Sequence, residues 1–191
     1  GDDPVAAEEA GFDGAWSSEN EADAFLPLAV AATATRRIEL GPSVAIAFSR
    51  TPMTVAYLAA DLQRFTEGRF VLGLGSQIKP HIEKRFSMPW SRPAARMREF
   101  VLALRAIWRG WDGGEPLRFA GEFSRHTLRT PHFSPPASVL TLARNYRSTQ
   151  PLLDAANAVI ALAPERFTKA LWTDSTGSER PASRHCLSTD T

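Results

Sequence analysis

Short apolar runs give way to helical periodicity three times before residue 112, and that alternation constrains the fold more than any other feature. The runs are Phe12-Asp13-Gly14-Ala15-Trp16, Arg37 to Phe48, and Arg69 to Gly75; the helices that follow are predicted over 24–35, 51–68 and 93–111. In the last of these Met97, Phe100, Val101, Leu104, Ile107, Trp108 and Trp111 recur at three- and four-residue spacing, the signature of one buried face. Thr51 can cap its helix with Pro52 in the first turn, and Pro27 is tolerable near the start of the helix over 24–35. A further helix over 4–10 stops at Gly11. Repeated strand–helix units predict right-handed βαβ connections, a parallel sheet and an α/β fold. A complete (β/α)8 barrel takes roughly 250 residues, and the alternation here covers less than half of one.

The stretch Arg69-Phe70-Val71-Leu72-Gly73-Leu74-Gly75-Ser76-Gln77 reads as a strand of a parallel sheet covered on both faces, running into glycines at its carboxyl end. Ligands of α/β folds sit at such ends, so this is the leading candidate site. Gly73 and Gly75 allow either close packing of a neighbouring element or close approach of a ligand, and the residues alone leave both open. Position 78 is Ile, so the dinucleotide fingerprint lacks its third glycine, and no Lys-Ser or Lys-Thr completes a Walker A loop. The Gly41-Pro42 pair inside the second strand predicts a bulge or kink. Glu19 and Asn20 follow the first strand, where catalytic groups of a barrel sit, although a plain loop fits them equally.

Several function classes are set aside. A formal net charge of +1 offers no electrostatic case for nucleic acid or an anionic membrane. Cys186 is the single cysteine, which excludes a disulfide framework and a cysteine metal site. His81-Ile82-Glu83 echoes a deaminase H-x-E without the P-C-x-x-C that would complete it. Lys79, Lys84, Arg85, Arg92, Arg96 and Arg98 suit either a phosphate-bearing tail or a solvated face. No metal is expected, no run is long enough to span a bilayer, and a cytoplasmic enzyme is the default. The start at Gly1, in what reads as the end of a helix, leads to the expectation of an incomplete N-terminus.

Over residues 5–136 the sequence resembles the luciferase-like monooxygenase superfamily, nearest its coenzyme F-420-dependent branch. The resemblance is carried by Glu9 to Trp16, Arg37-Ile38-Glu39-Leu40-Gly41, Asp61-Leu62-Gln63, Gly68 to Gly75, His81 to Phe86, Pro89-Trp90 and Ala95 to Glu99. It implies the N-terminal half of a (β/α)8 TIM barrel, with a deazaflavin (F-420) or FMN ring across the strands' carboxyl ends and hydride transfer to or from a small organic substrate. It further implies a non-prolyl cis peptide at Ser43-Val44, and a cofactor surface of Ser43, Val44, Ala45, Gly73, Gly75, Ser76 and Gln77. Many relatives carry a histidine after the second strand as a proton donor or acceptor; here Glu19 and Asn20 stand in the catalytic place. Homodimers are an option among intact relatives.

Past Pro135-Pro136 the texture changes. Leu142 to Pro151, with the N-Y-R-S run Asn145-Tyr146-Arg147-Ser148, resembles UvrD/Rep-type helicases, which implies adenine stacking by Tyr146 and a γ-phosphate contact by Arg147. Nucleic acid is a partner only under that alternative, and the phosphate cradle it needs is missing. The expected organisation is an oxidoreductase portion over 1–137, a helicase-like fragment over 138–173 and a disordered tail over 174–191, joined as a fused or mis-assembled reading frame.

Overall fold

A computed structural model describes residues 3–113, 116–135 and a strand at 186–188. Its elements, in order, are α1 (Pro4–Glu9), β1 (Gly14–Ser17), α2 (Leu26–Ala34), β2 (Glu39–Pro42), β3 (Ala45–Ile46), α3 (Pro52–Phe65), β4 (Leu74–Gly75), α4 (Pro93–Trp111), β5 (Phe119–Ala120), β6 (Arg125–His126) and β7 (Cys186–Ser188). The chain divides into one unit of Gly1–Leu140 with Leu187–Thr191 and another of Thr141–Cys186. The expected boundaries at 137 and 173, together with Tyr146 and Arg147, lie outside the described residues.

β1 runs parallel to β2 with Gly14 opposite Glu39 and Ser17 opposite Pro42. β3 runs parallel to β4 with Ala45 opposite Leu74. β2 and β3 are one strand interrupted at Ser43 and Val44, so strand and helix alternate as the apolar pattern predicts. β7 lies on the other side of β1. Apart from these three residues, the tail expected over 174–191 lies outside the described residues.

The short strand expected over Arg69 to Gly75 pairs only in fragments. Phe70 makes one parallel bridge to Leu40, and regular pairing resumes only at Leu74 opposite Ala45. Between those two points the β2–β3 side has one more residue than the β4 side, so the hydrogen bonds fall out of step. That extra residue is the bulge foreseen from Gly41-Pro42. A turn of π-helix at His81–Arg85 follows β4.

Local signals explain the helix boundaries. Thr51 accepts from the Thr54 N–H at 3.2 Å and Pro52 opens α3. α2 begins two residues later than expected because the Asp23 carboxylate accepts from the N–H groups of Phe25 (2.8 Å) and Leu26 (3.1 Å), fixing the entry turn. α3 packs on α4 and on α2, and α2 covers β2. Ile38, Leu40, Phe48, Val55, Leu104 and Ile107 are the buried centre, each contributing roughly 1.5–3 kcal/mol by leaving water.

Two carboxylates hold loops by gathering backbone N–H groups. Glu8 of α1 accepts from Arg36 (3.0 Å), Arg37 (2.6 Å) and Ile38 (2.9 Å) at the entrance to β2. Desolvation raises its pKa, but the N–H groups of Ile38, Arg37 and Arg36 and the Arg37 charge override that and bring it from 4.5 down to about 2. A lowered carboxyl stabilises the fold above its unfolded pKa and loses that contribution as pH falls through the folded one. Urea midpoints measured against pH should therefore decline between 4.5 and about 2, and Glu8→Gln should flatten that decline while lowering the midpoint at neutral pH.

Glu99 of α4 accepts from the N–H groups of Glu122 (2.7 Å), Phe123 (2.8 Å) and Ser124 (2.8 Å), and so caps the β5–β6 turn. Glu99→Ala should abolish exchange protection of those amides and cost about 1–3 kcal/mol of local stability, read by amide hydrogen exchange.

Candidate active site

The carboxyl ends of β1, β3 and β4 lie side by side because β2–β3 pairs on both edges. Ser43 N–H donates to the Ser17 carbonyl at 2.7 Å and Ala45 N–H to the Gly73 carbonyl at 2.9 Å, so the interruption is tied to both neighbours. Between these bonds the Ser43–Val44 peptide is cis, at the position the resemblance implies. The Ser17 hydroxyl donates to the Ala24 carbonyl at 2.5 Å, fixing the loop that carries Glu19.

The glycines of β4 answer a question the sequence left open. A methyl group at Gly73 would strike the Pro42 carbonyl oxygen, and one at Gly75 would sit 2.5 Å from Val44 Cγ2. Both are small because the kinked neighbouring strand occupies the space. Beyond them the Ser76 hydroxyl donates to the Gln77 carbonyl (3.1 Å). Gln77, at φ 59°, accepts through Oε1 from the Ile78 N–H (2.9 Å), closing a local turn.

Glu19 Oε2 accepts from the Ile46 N–H at 2.6 Å and from Arg50 at 2.8 Å. The same Arg50 nitrogen donates to the Ile46 carbonyl at 3.2 Å, so the pair grips both polar groups of the last β3 residue. Arg50 also reaches Asp23 at 2.7 Å and lies 5.3 Å from the Phe25 ring centroid. Burial opposes the charge of Arg50, but Glu19 and then Asp23 raise its pKa above the ordinary value. Desolvation likewise raises Asp23, and the N–H groups of Phe25 and Leu26 with Arg50 bring it below the usual carboxylate range.

Asn20 is exposed; its side chain donates to the Ser18 hydroxyl (3.2 Å) and its carbonyl accepts from Arg85 (3.0 Å). Arg85 thereby spans from the turn after β4 to the loop after β1. Phe48, at the end of β3, meets Trp90 edge-on at 5.7 Å and carries Arg96 over its face at 4.4 Å. Arg96 is thus committed to a stack, and Arg92 pairs with Glu122, while Lys79 lies 3.9 Å from Glu83.

Sequence reasoning brought together Ser43, Val44, Ala45, Gly73, Gly75, Ser76 and Gln77, and these do share one end of the sheet. It overlooked Arg50 and Asp23, whose only sequence signal is a charge placed just beyond an apolar strand or just before a helix. Ser43, Val44 and residues 71–77 are all partly exposed, and the small Ser43, Gly73, Gly75 and Ser76 among them leave backbone that a flat ring could approach. Among the described residues no cluster of His, Cys, Asp and Glu could hold a metal ion, and no helix is long and apolar enough to cross a membrane.

The model of the family described as luciferase-like monooxygenase matches residues 4–159. The chain belongs to the luciferase-like monooxygenase family. An uncharacterised protein of Mycobacterium tuberculosis is 58% identical over 134 residues, covering 70% of this chain and 39% of that protein. A second protein of that organism, provisionally named a coenzyme F-420-dependent oxidoreductase, is 38% identical over 105 residues (54% of this chain, 30% of that protein). This luciferase-like chain thus spans well under half the length of these relatives. A monooxygenase from Streptomyces bottropensis superposes with a TM-score of 0.55 at 26% identity, covering 65% of this chain and 40% of the other. The oxygenating constituent of 3,6-diketocamphane monooxygenase from Pseudomonas putida, solved with FMN, superposes with a TM-score of 0.58 at 21% identity, over 70% of this chain and 40% of that one. DNA helicase II of Rickettsia typhi is 40% identical over 81 residues, 42% of this chain and 11% of that protein.

Proposed function

We propose that this chain carries the coenzyme-binding strands of a flavin- or deazaflavin-dependent oxidoreductase, built as the first part of a (β/α)8 barrel. The observation that carries the reading is the kinked Ser43–Val44 edge beside the Gly73 to Gln77 turn, at the carboxyl end of a parallel sheet, in a luciferase-like chain. Coenzyme F-420 is favoured by the provisionally named relative and FMN by the fold neighbour solved with it. When bound, the ring supplies the hydride chemistry toward a small organic substrate.

The chain's own residues position it. Ser43 and Val44 would lie along one side of the ring, with Gly73, Gly75, Ser76 and Gln77 along the other; Ala45 is fully buried and backs them from within the sheet. Glu19 serves this site by gripping Ile46 with Arg50 rather than by moving a proton, since its Oε2 is committed to two donors. Exposed Asn20 is one polar group of that loop, with Glu21, open to solvent and substrate. The test is titration of the purified protein with oxidised and reduced F-420 and with FMN, followed by fluorescence. Saturable binding of either is expected, and binding of neither overturns the reading.

A second reading concerns the residues beyond 137, where Tyr146 and Arg147 would serve a helicase-like fragment; the likeness to DNA helicase II favours it. Single-stranded DNA binding that weakens steeply as salt rises would support it, and salt-independent or absent binding would remove it.

A further inference from the structure

We propose that the outward face of α2 is a self-association surface, on which a second copy of this chain lays the same helix end for end; this stands independently of the coenzyme reading. Every residue of Leu26–Ala34 except Thr33 is apolar, and Thr33 turns its hydroxyl back to the Val30 carbonyl at 2.8 Å. One side of the helix belongs to the fold: Leu28, Ala31 and Ala32 are buried where α2 covers β2 and packs on α3. The other side carries no charge, yet Leu26 is 70% and Val30 71% exposed, with Ala34 exposed beyond them. A surface helix normally turns a polar face outward, and one apolar all round belongs among neighbours on every side.

The occupant follows from the row itself. Leu26, Val30 and Ala34 stand four residues apart, so they form one ridge along the helix. The ridge is even in spacing about Val30 and graded in size, large at one end and small at the other. Turned end for end on a second copy, Val30 meets its own counterpart at a two-fold axis, and Leu26 falls beside the second copy's Ala34. Large then faces small at both ends, which is the fit a close helix pair needs.

Charge fixes the direction. Glu21, on the β1 loop with Asn20, precedes the helix, and Arg36 follows it; both are exposed. The Arg36 guanidinium donates to the Thr33 and Thr35 carbonyls at 3.2 and 3.1 Å and, among the described residues, to no carboxylate. End-for-end pairing sets Glu21 of each copy toward Arg36 of the other, whereas pairing in the same direction would set like charges together. A helix of 9 residues is about 13 Å long, and its ridge covers less than the roughly 800 Å² per partner of a standard interface. The pairing therefore belongs to the weak class, forming from about micromolar concentrations upward.

The experiment is sedimentation velocity of the whole chain over roughly 5 to 500 μM. The wild-type chain should pass from monomer to dimer across that range. Val30→Glu sets two carboxylates face to face at the axis and should weaken association at least about tenfold. Leu128→Glu removes a side chain 77% exposed in the excursion after β6 and should leave association as in wild type. Glu21→Arg and Arg36→Glu should each weaken it about two- to tenfold alone, because each sets like charges together twice. An equimolar mixture of those two variants should recover wild-type association, since the mixed dimer carries both pairs with opposite signs. A chain that stays monomeric at every concentration overturns the inference and leaves the face to another segment of the chain or to a different protein. A dimer indifferent to Val30→Glu also overturns it, as does a mixture that associates no better than its components. Far-UV circular dichroism checks that the variants are folded, and the mixing result rests on exposed charges alone, so it does not depend on how well Val30→Glu folds.

Discussion

Replacing Gly41 with alanine is expected to unfold the sheet portion of this protein. The new methyl group would collide with the Val71 carbonyl oxygen and sit 2.6 Å from the Trp16 ring. The carbonyl belongs to backbone that is already bonded, its residue's N–H donating to the Leu40 carbonyl at 2.9 Å, so it has little freedom to retreat. Overpacking of a core typically costs 1–3 kcal/mol, and a clash against backbone belongs at or above about 3 kcal/mol. That is a large part of the roughly 5–15 kcal/mol that holds a typical domain together. Gly113→Ala is the matched control. Nothing lies within 4 Å of the added methyl, and the only penalty is its φ of +85°, about 1–2 kcal/mol. Urea denaturation followed by far-UV circular dichroism compares the two. A Gly41→Ala midpoint equal to that of Gly113→Ala would refute the packing described for β1, β2 and β4.

Loss of the Arg50 guanidinium should be nearly as severe. Its side chain is 13% exposed and that of Glu19 is 8% exposed, so removing the cation strands a buried carboxylate. Breaking such a pair costs about 3–5 kcal/mol, since the remaining charge keeps the Ile46 N–H but has no cation beside it. The half-exposed Asp23 contributes less. Arg50→Met keeps an unbranched aliphatic stem while removing the charge, whereas Arg50→Lys restores one contact at most. The expected order of midpoints is wild type, then Lys, then Met. The pH dependence has a definite sign. Asp23 is held below its ordinary 3.8, so its stabilisation is present above that value and fades as pH falls through it. Arg50→Met should remove part of that acid-side decline. Exchange of the Ile46 amide, which Glu19 accepts at 2.6 Å, should quicken in the same variant.

Much of the fold was legible from residue patterns because the causes are local. The period of apolar residues over 93–111 and the Thr51-Pro52 start placed α4 and α3 with little error. Gly41-Pro42 announced an irregular strand, and the register confirms one extra residue between Leu40 and Ala45. The apolar stretch 69–75 pairs over less of its length than its composition implies. Its composition suits a covered strand, but regular pairing depends on a partner in step, and the bulge breaks the register between Phe70 and Leu74. The glycines of β4 show the same division. That they mattered was visible, whereas their being small for Pro42 and Val44 was not.

By itself, then, the sequence determined the alternation of strands and helices, the helix caps, the position of the kink and the family. Each is encoded within a few neighbouring residues, where propensity and hydrogen-bond geometry act directly. Only the tertiary structure decided that Glu19 meets Arg50 across 31 positions, that Glu8 gathers the N–H groups of Arg36 to Ile38, and that Trp16 lies over Gly14 and Gly41. Charges and aromatic rings have no fixed partner along a chain. Their partners follow from strand register and helix packing, which set the few ångströms over which an ion pair or a ring contact can form.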